Sequence, residues 1–231
     1  MPIEFDQNYA TIYDHKIRKL IPGYLLLHEL SRHTLQALLP VQAKIVVAGA
    51  GTGQEVIETA TANPGWQYCL VEPSAPMREE AQRRAEAAGI AQRVSFRAGR
   101  VGLDAELESA PCFDAALSLL VLHFVAGEAA KLAYLRQLAG CLHPGAPLLL
   151  ADMEGERDSA VFAQQIAIWH RQQLASRSHP ETVALDFSKL ETDIYPLPAL
   201  RLQALLEEAG FTPPIAYFRA WQIAGYYCHR R

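Results

Sequence analysis

The chain has 231 residues, half of them hydrophobic and 20% charged, which suits one globular domain with a full-sized core and excludes a disordered chain. A formal charge of −4 and a pI near 6.1 exclude an overall basic field, so affinity built on many phosphate contacts is not expected. The opening MPIEFDQNYA lacks a leader pattern and no window is apolar enough to span a bilayer, so a cytoplasmic protein with no membrane partner is expected; Cys69, Cys112, Cys141 and Cys228 are too scattered for a disulfide framework or a zinc site.

Residues 1–40 read as one or two helices broken at IPGY (21–24), where proline and glycine make a turn. Within them HKIRK (15–19) reads as a solvated helical face, with an anionic substrate or tRNA contact as the alternative. From Lys44 onward, short β-rich apolar runs alternate with segments of helical period, the rhythm of an α/β sheet. The predicted strands are KIVVA (44–48), YCLVE (68–72), VSFRA (94–98), DAALSLL (114–120) and PLLLAD (147–152). All but the third are almost continuously apolar, as parallel strands covered on both faces should be. The helix before HPG carries Leu132, Leu135, Leu138 and Leu142 on its core face. Residues 153–198 form an insertion longer than an ordinary connection, with a helical run that places Phe162, Ile166 and Trp169 on one face. Insertions above the carboxyl ends of strands commonly build a lid or a substrate pocket. A last helix, with Leu202, Leu205 and Leu206 inward, stops at Gly210. It is followed by IAYFRA and QIAGYYC, too close together for a crossover and therefore antiparallel.

The stretch KIVVAGAGTGQEV (44–56) holds Gly49, Gly51 and Gly53 between a strand and a helix. Glycines there let the backbone turn tightly and present bare N–H groups to a ligand. A dinucleotide fingerprint would want glycine at Gln54, so a nicotinamide oxidoreductase is disfavoured. Glu72 closes the second strand, where an acid can accept from both hydroxyls of a ribose. Loop and acid together point to an adenosine-type ligand; each alone would pass as a structural turn and a solvated acid.

These motifs, in this order, resemble the class I S-adenosylmethionine-dependent methyltransferases. The resemblance implies a Rossmann-like fold, a mostly parallel seven-stranded sheet with a terminal antiparallel strand pair, N-terminal helices and a helical cap insertion. It divides a single domain into an N-terminal helical cap (1–40), a cofactor-binding core (41–152), the cap insertion (153–198) and a final helix with its strand pair (199–231). It implies S-adenosylmethionine as cofactor, with Gly49, Ala50, Gly51 and Gly53 in the loop and Glu72 at the ribose. Pro73 and Met77 would lie beside the adenine, Arg100 and Val101 would flank it, and Leu119 would offer a carbonyl at the end of the fourth strand. A further similarity in layout, carried by IPGY and by the order of the elements after it, is to the carboxy-S-adenosylmethionine synthases of tRNA wobble-uridine modification. It implies that Tyr24 reaches over the cofactor, and it makes a homodimer plausible.

Three positions depart from these patterns. The family usually carries acids where Val47 and Arg100 stand, and the synthases carry an arginine, for the extra carboxylate of their ligand, where Leu205 stands. A leucine cannot pair that charge, so ordinary S-adenosylmethionine and a small-molecule methyl acceptor are expected. The alternatives are an RNA-modification enzyme of the synthase type, with tRNA as partner, and a non-catalytic binding or scaffold protein on the same fold. Candidate bases are His123, just past the fourth strand, and His170, beside Trp169 in the insertion. Asp152 and Glu154 end the fifth strand and could bind substrate or cap a helix. Tyr9 and Tyr13 could close the pocket from the N-terminal segment.

Overall fold

In a computed structural model, which describes residues 7–105, 107, 111–176 and 179–231, seven strands form one sheet in the order β3-β2-β1-β4-β5-β7-β6. The strands are β1 (Ala43–Ala48), β2 (Trp66–Glu72), β3 (Val94–Ala98), β4 (Ala115–Leu119), β5 (Pro147–Met153), β6 (Ile215–Ala220) and β7 (Ile223–His229). The first five run parallel, while β7 pairs antiparallel with both β5 and β6. The expected strands are all present; β1 and β2 begin one and two residues earlier than their apolar runs, because Ala43 and Trp66 are also buried.

Alternation along each strand divides the core between two faces. Val46 and Ala48 of β1 join Ala116, Leu148 and Leu150 on the face covered by α5 (Glu128–Cys141) and α8 (Ala199–Glu208), which contribute Leu135, Leu138, Leu202, Leu205 and Leu206. Ile45 and Val47 join Leu70, Leu117 and Leu149 on the opposite face. That face is covered by α2 (Tyr24–Leu38), α3 (Gln54–Ala62) and α4 (Ala75–Ala87). Val47 is thus a core residue, surrounded by apolar groups that give a carboxylate nothing to bind.

The helical segments outside this sandwich meet at the carboxyl ends of the strands. IPGY is the turn between α1 (Gln7–Leu20) and α2, with Gly23 left-handed at φ 72°. The insertion holds two helices, α6 (Ala160–Ser176) and α7 (Pro180–Thr192), where the sequence pattern identified one. Proline in the first turn of α7 starts a helix whose buried side chains, Val183, Asp186 and Phe187, include an acid and so escape an apolar-period search. Ile21, Leu27, Met153, Trp169, Val183, Phe187 and Ile223 form a third apolar cluster that binds cap, insertion and terminal hairpin together. Strand β1 is flanked by β2 on one side and β4 on the other, so chain direction across the sheet reverses there and opens a crevice at their carboxyl ends.

Candidate functional site

The loop after β1 fills that crevice. Gly49, Gly51 and Gly53 all have left-handed φ, between 52° and 73°, which bulky residues adopt only with strain. At Gly49 a Cβ would also lie 2.6 Å from a methyl of Val121. The Gly49 and Ala50 N–H groups donate to the Val71 carbonyl, which anchors the loop to β2. Glu72, buried at the end of β2, accepts from the Gly51 N–H at 3.0 Å and from the Ser74 N–H at 2.9 Å. Burial raises its pKa above the ordinary range, and those two N–H donors oppose the rise. Each oxygen keeps a further lone pair for a ligand hydroxyl.

Beside this loop lies a cavity of about 320 Å³ lined by Tyr24, Gly49, Ala50, Gly51 and Leu119, five of the residues expected at the cofactor, together with Tyr13, His28, Thr52, Gln54, Glu55 and Leu120. Gly53 starts α3. The residues expected around the adenine lie outside this cavity. Pro73 is exposed, and Met77 is buried in the first turn of α4. Val101 packs into the core with Val46 and Val71, and Arg100 turns to the surface, where its guanidinium pairs with Asp104 at 3.1 Å. None of these four lines the cavity. The physical reason is local: Asp104, four residues on, satisfies the Arg100 side chain and also accepts from its backbone N–H.

A second cavity, of about 650 Å³, adjoins the first through the shared residues Tyr13 and Leu120. Leu120 is held at φ 62°, an unusual conformation for a leucine, with its N–H bonded to the Ala151 carbonyl at 2.7 Å. The walls are mostly apolar: Ile17, Leu20, Phe124, Met153, Trp169 and Ile223. Trp169 is fixed by its indole N–H, which donates to the Leu20 carbonyl at 3.0 Å. The polar lining is Lys16, paired with Asp186 at 2.6 Å, then Lys189 and His123.

His123 sits in a 3-10 turn (Leu122–Phe124) directly after β4. Its Nδ1 lies 2.5 Å from Oδ1 of Asp152, which also accepts the His123 backbone N–H at 2.9 Å. Both side chains are buried. Lys131, also buried, donates to the Leu122 carbonyl at 2.5 Å, and burial lowers its pKa. The His123 carbonyl in turn accepts the Tyr195 N–H at 2.7 Å. The backbone of this turn is therefore held by Lys131, Tyr195 and Asp152, and the imidazole stands on the wall of the second cavity with Nδ1 committed to a carboxylate.

His170 does not join it. This side chain stacks edge-on against Phe187 behind Trp169, outside both cavities. Glu154 is occupied by Tyr226 at 2.7 Å and Arg219 at 3.1 Å. Of HKIRK, His15, Arg18 and Lys19 are exposed as a solvated face should be, with Arg18 donating to Gln54 at 2.9 Å, whereas Lys16 is half-buried and pairs with Asp186. Tyr13 lines both cavities, whereas the Tyr9 side chain lies outside the described residues.

Sequence reasoning missed three members of the site. Asp14 accepts from Thr52 at 2.7 Å and pairs with Arg84, fastening α1 over the glycine loop. His28 follows Tyr24 by one helical turn, a spacing that would have placed it on the same face had Tyr24 been taken as the anchor. Glu55 opens α3 and points to the same cavity.

Comparison with known proteins agrees with this geometry. Residues 46–148 match a family described as a methyltransferase domain. The carboxy-S-adenosyl-L-methionine synthase of Campylobacter hominis is 25% identical over 208 residues, 90% of this chain and 86% of that protein. Among solved structures, a candidate O-methyltransferase from Nostoc punctiforme superposes with a TM-score of 0.67 at 16% identity, covering 97% of this chain; this chain spans 60% of its length. A SAM-dependent methyltransferase from Methanosarcina mazei superposes at 0.62 with 15% identity, covering 85% and 96% of the two chains. The reversed β7 and the left-handed glycine loop joined to Glu72 give this chain the class I methyltransferase fold of those structures, and residues 46–148 carry the matched methyltransferase domain.

Proposed function

We propose that this methyltransferase acts on a hydroxyl group of a small, largely apolar acceptor, with His123 as the base. The observation that carries the reading is the buried His123–Asp152 pair on the wall of an apolar cavity that shares Tyr13 and Leu120 with the cofactor cleft.

The cleft fits the family's cofactor: glycine backbone without side chains, a buried acid with spare lone pairs at the end of β2, and Tyr24 across from it. S-adenosylmethionine supplies an activated methyl group on a sulfonium. This chain's residues then orient the acceptor, exclude water and take a proton. Orientation supports about 7–11 kcal/mol of barrier reduction, and the apolar walls serve that end by confining the acceptor. With Nδ1 donating to Asp152, the imidazole carries its lone pair on Nε2, ready for an acceptor hydroxyl proton. The Asp152 carboxylate stabilises the resulting imidazolium, and the contribution of such a base is roughly 10²–10⁴-fold. Leu205 supports ordinary methyl transfer over the synthase reaction: it is buried in the core against α5, so no charged group stands there. The acidic balance of the chain favours a metabolite over tRNA, and four cysteines outside any disulfide fit a reducing, cytoplasmic setting.

The test is formation of S-adenosylhomocysteine from S-adenosylmethionine over a panel of phenols, amines, carbon acids and unmodified tRNA. Turnover confined to hydroxyl acceptors, and cut roughly a hundredfold or more by His123→Gln, is expected. Turnover of amines alone, or tRNA modification with salt-sensitive binding, would overturn the assignment.

A further inference from the structure

His28 is 4% exposed and lines the cofactor cavity from α2, yet neither ring nitrogen has a hydrogen-bond partner among the described residues. A buried imidazole without partners forfeits the hydrogen bonds it would make to water, and on the wall of a cavity its two ring nitrogens are available to a ligand. Its ring is held at 4.3 Å from that of Tyr24, so its direction is set before anything binds. Across the same cavity Glu55 projects from the first turn of α3 with no side-chain partner among the described residues; its carboxyl accepts only from its own backbone N–H. The usual first-strand acid is missing, since Val47 lies in the core.

We infer that His28 and Glu55 together form the receptor for the amino-acid end of S-adenosylmethionine, Glu55 accepting from the ammonium and His28 donating to the carboxylate. This rests on the methyltransferase reading and adds the residues that replace the missing acid. The charges around the cavity favour this allotment. Asp14 on α1, Glu58 on α3 and Glu72 on β2 surround Glu55 with negative charge, which suits a cationic group there. Tyr24, which also lines the cavity, is a neutral phenol, its pKa raised well above the ordinary value by burial. Arg18 on α1 is the cation that acts on His28, opposed by Asp14. Burial and the neighbouring carboxylates push the Glu55 carboxyl up to about 8, so it carries a proton at pH 7 in the free protein. Burial lowers His28 to about 4, so it is a neutral N–H donor at that pH. When the ammonium arrives, the Glu55 proton leaves to solvent and the carboxylate accepts from it.

The experiment is calorimetric titration at pH 7 of wild type, Glu55→Gln, His28→Leu and His28→Asn, in two buffers of different ionisation enthalpy. The ligands are S-adenosylmethionine and 5′-methylthioadenosine, which lacks the amino-acid end. Wild type should release roughly half a proton or more per S-adenosylmethionine bound, and Glu55→Gln should release none. Both Glu55→Gln and His28→Leu should bind S-adenosylmethionine about 10- to 100-fold more weakly, with affinity for methylthioadenosine unchanged, and His28→Asn should recover part of the loss. Unchanged S-adenosylmethionine affinity in the variants, or an equal loss for methylthioadenosine, would overturn the inference while leaving the methyltransferase reading intact. Failure of wild type to bind either ligand would remove both.

Discussion

Replacing Glu72 with alanine tests how the loop and the acid act as one device. In the free protein the carboxylate satisfies two backbone donors, Gly51 N–H and Ser74 N–H, at the base of the cofactor cleft. Alanine leaves both without that acceptor. Each buried donor so stranded costs about 1–3 kcal/mol, less what water recovers through the space vacated by the side chain. The two N–H groups stand at opposite ends of the acid, one in the glycine loop and one at the cap of α4, so the fold should lose about 2–3 kcal/mol. Removal of hydrogen bonds from ribose hydroxyls to a charged acceptor adds about 1.5–3 kcal/mol to the cost of binding, or roughly 10- to 150-fold in Kd. Glu72→Gln separates the two effects, because its amide oxygen can keep the Gly51 donor while the charge is lost. Thermal melts and titration with S-adenosylhomocysteine read the two quantities independently. If Glu72→Ala melts like wild type and binds as tightly, the acid is a surface carboxylate and its joint role in loop and ligand is refuted.

Other perturbations have expected outcomes of their own. Gly49→Ala places a Cβ against Val121 at a left-handed φ, and should lower stability by about 1–3 kcal/mol by chemical denaturation and abolish cofactor binding; a variant that binds normally would show that the loop is not held as described. Asp152→Asn keeps the shape of the pair but can offer an N–H to the imidazole, turning its lone pair away from the acceptor; kcat for a hydroxyl substrate should fall about 10²–10⁴-fold with cofactor affinity unchanged. Stability should also depend on pH through Glu55. Its folded pKa of about 8 lies above the ordinary 4.5, so the folded state binds the extra proton, and stability falls as pH rises from 4.5 toward 8. Partial exposure screens the effect to about 2 kcal/mol, and denaturant midpoints of Glu55→Gln measured across that range should be correspondingly flatter than wild type. His28 acts in the opposite window: folded at about 4 against an ordinary 6.5, it makes stability fall as pH drops from 6.5 toward 4, and His28→Leu should lose that acid sensitivity.

What the sequence determined by itself is what short-range physics encodes. Apolar runs of strand length, helix-stopping glycines and a hairpin too short for a crossover were enough for β1 to β7, because burial on a sheet imposes a pattern on neighbouring residues. Gly49, Gly51, Gly53 and Glu72 were legible as one site because loop and acid lie at the ends of adjacent strands, whose spacing in sequence is regular in this fold. Tertiary structure alone decided the rest. His123 and Asp152 are 29 residues apart and meet only because β4 and β5 are neighbours in register. His170 and Trp169 are adjacent in sequence, yet the turn of α6 sends Trp169 to the wall of the second cavity and His170 against Phe187 outside it. Lys16 read as solvated because nothing nearby in the chain opposes its charge; Asp186, which does so, comes from α7. His28 and Glu55 became visible as a pair only when α2 and α3 closed on one cavity, since a missing hydrogen-bond partner is a property of three-dimensional surroundings and leaves no trace in the order of residues.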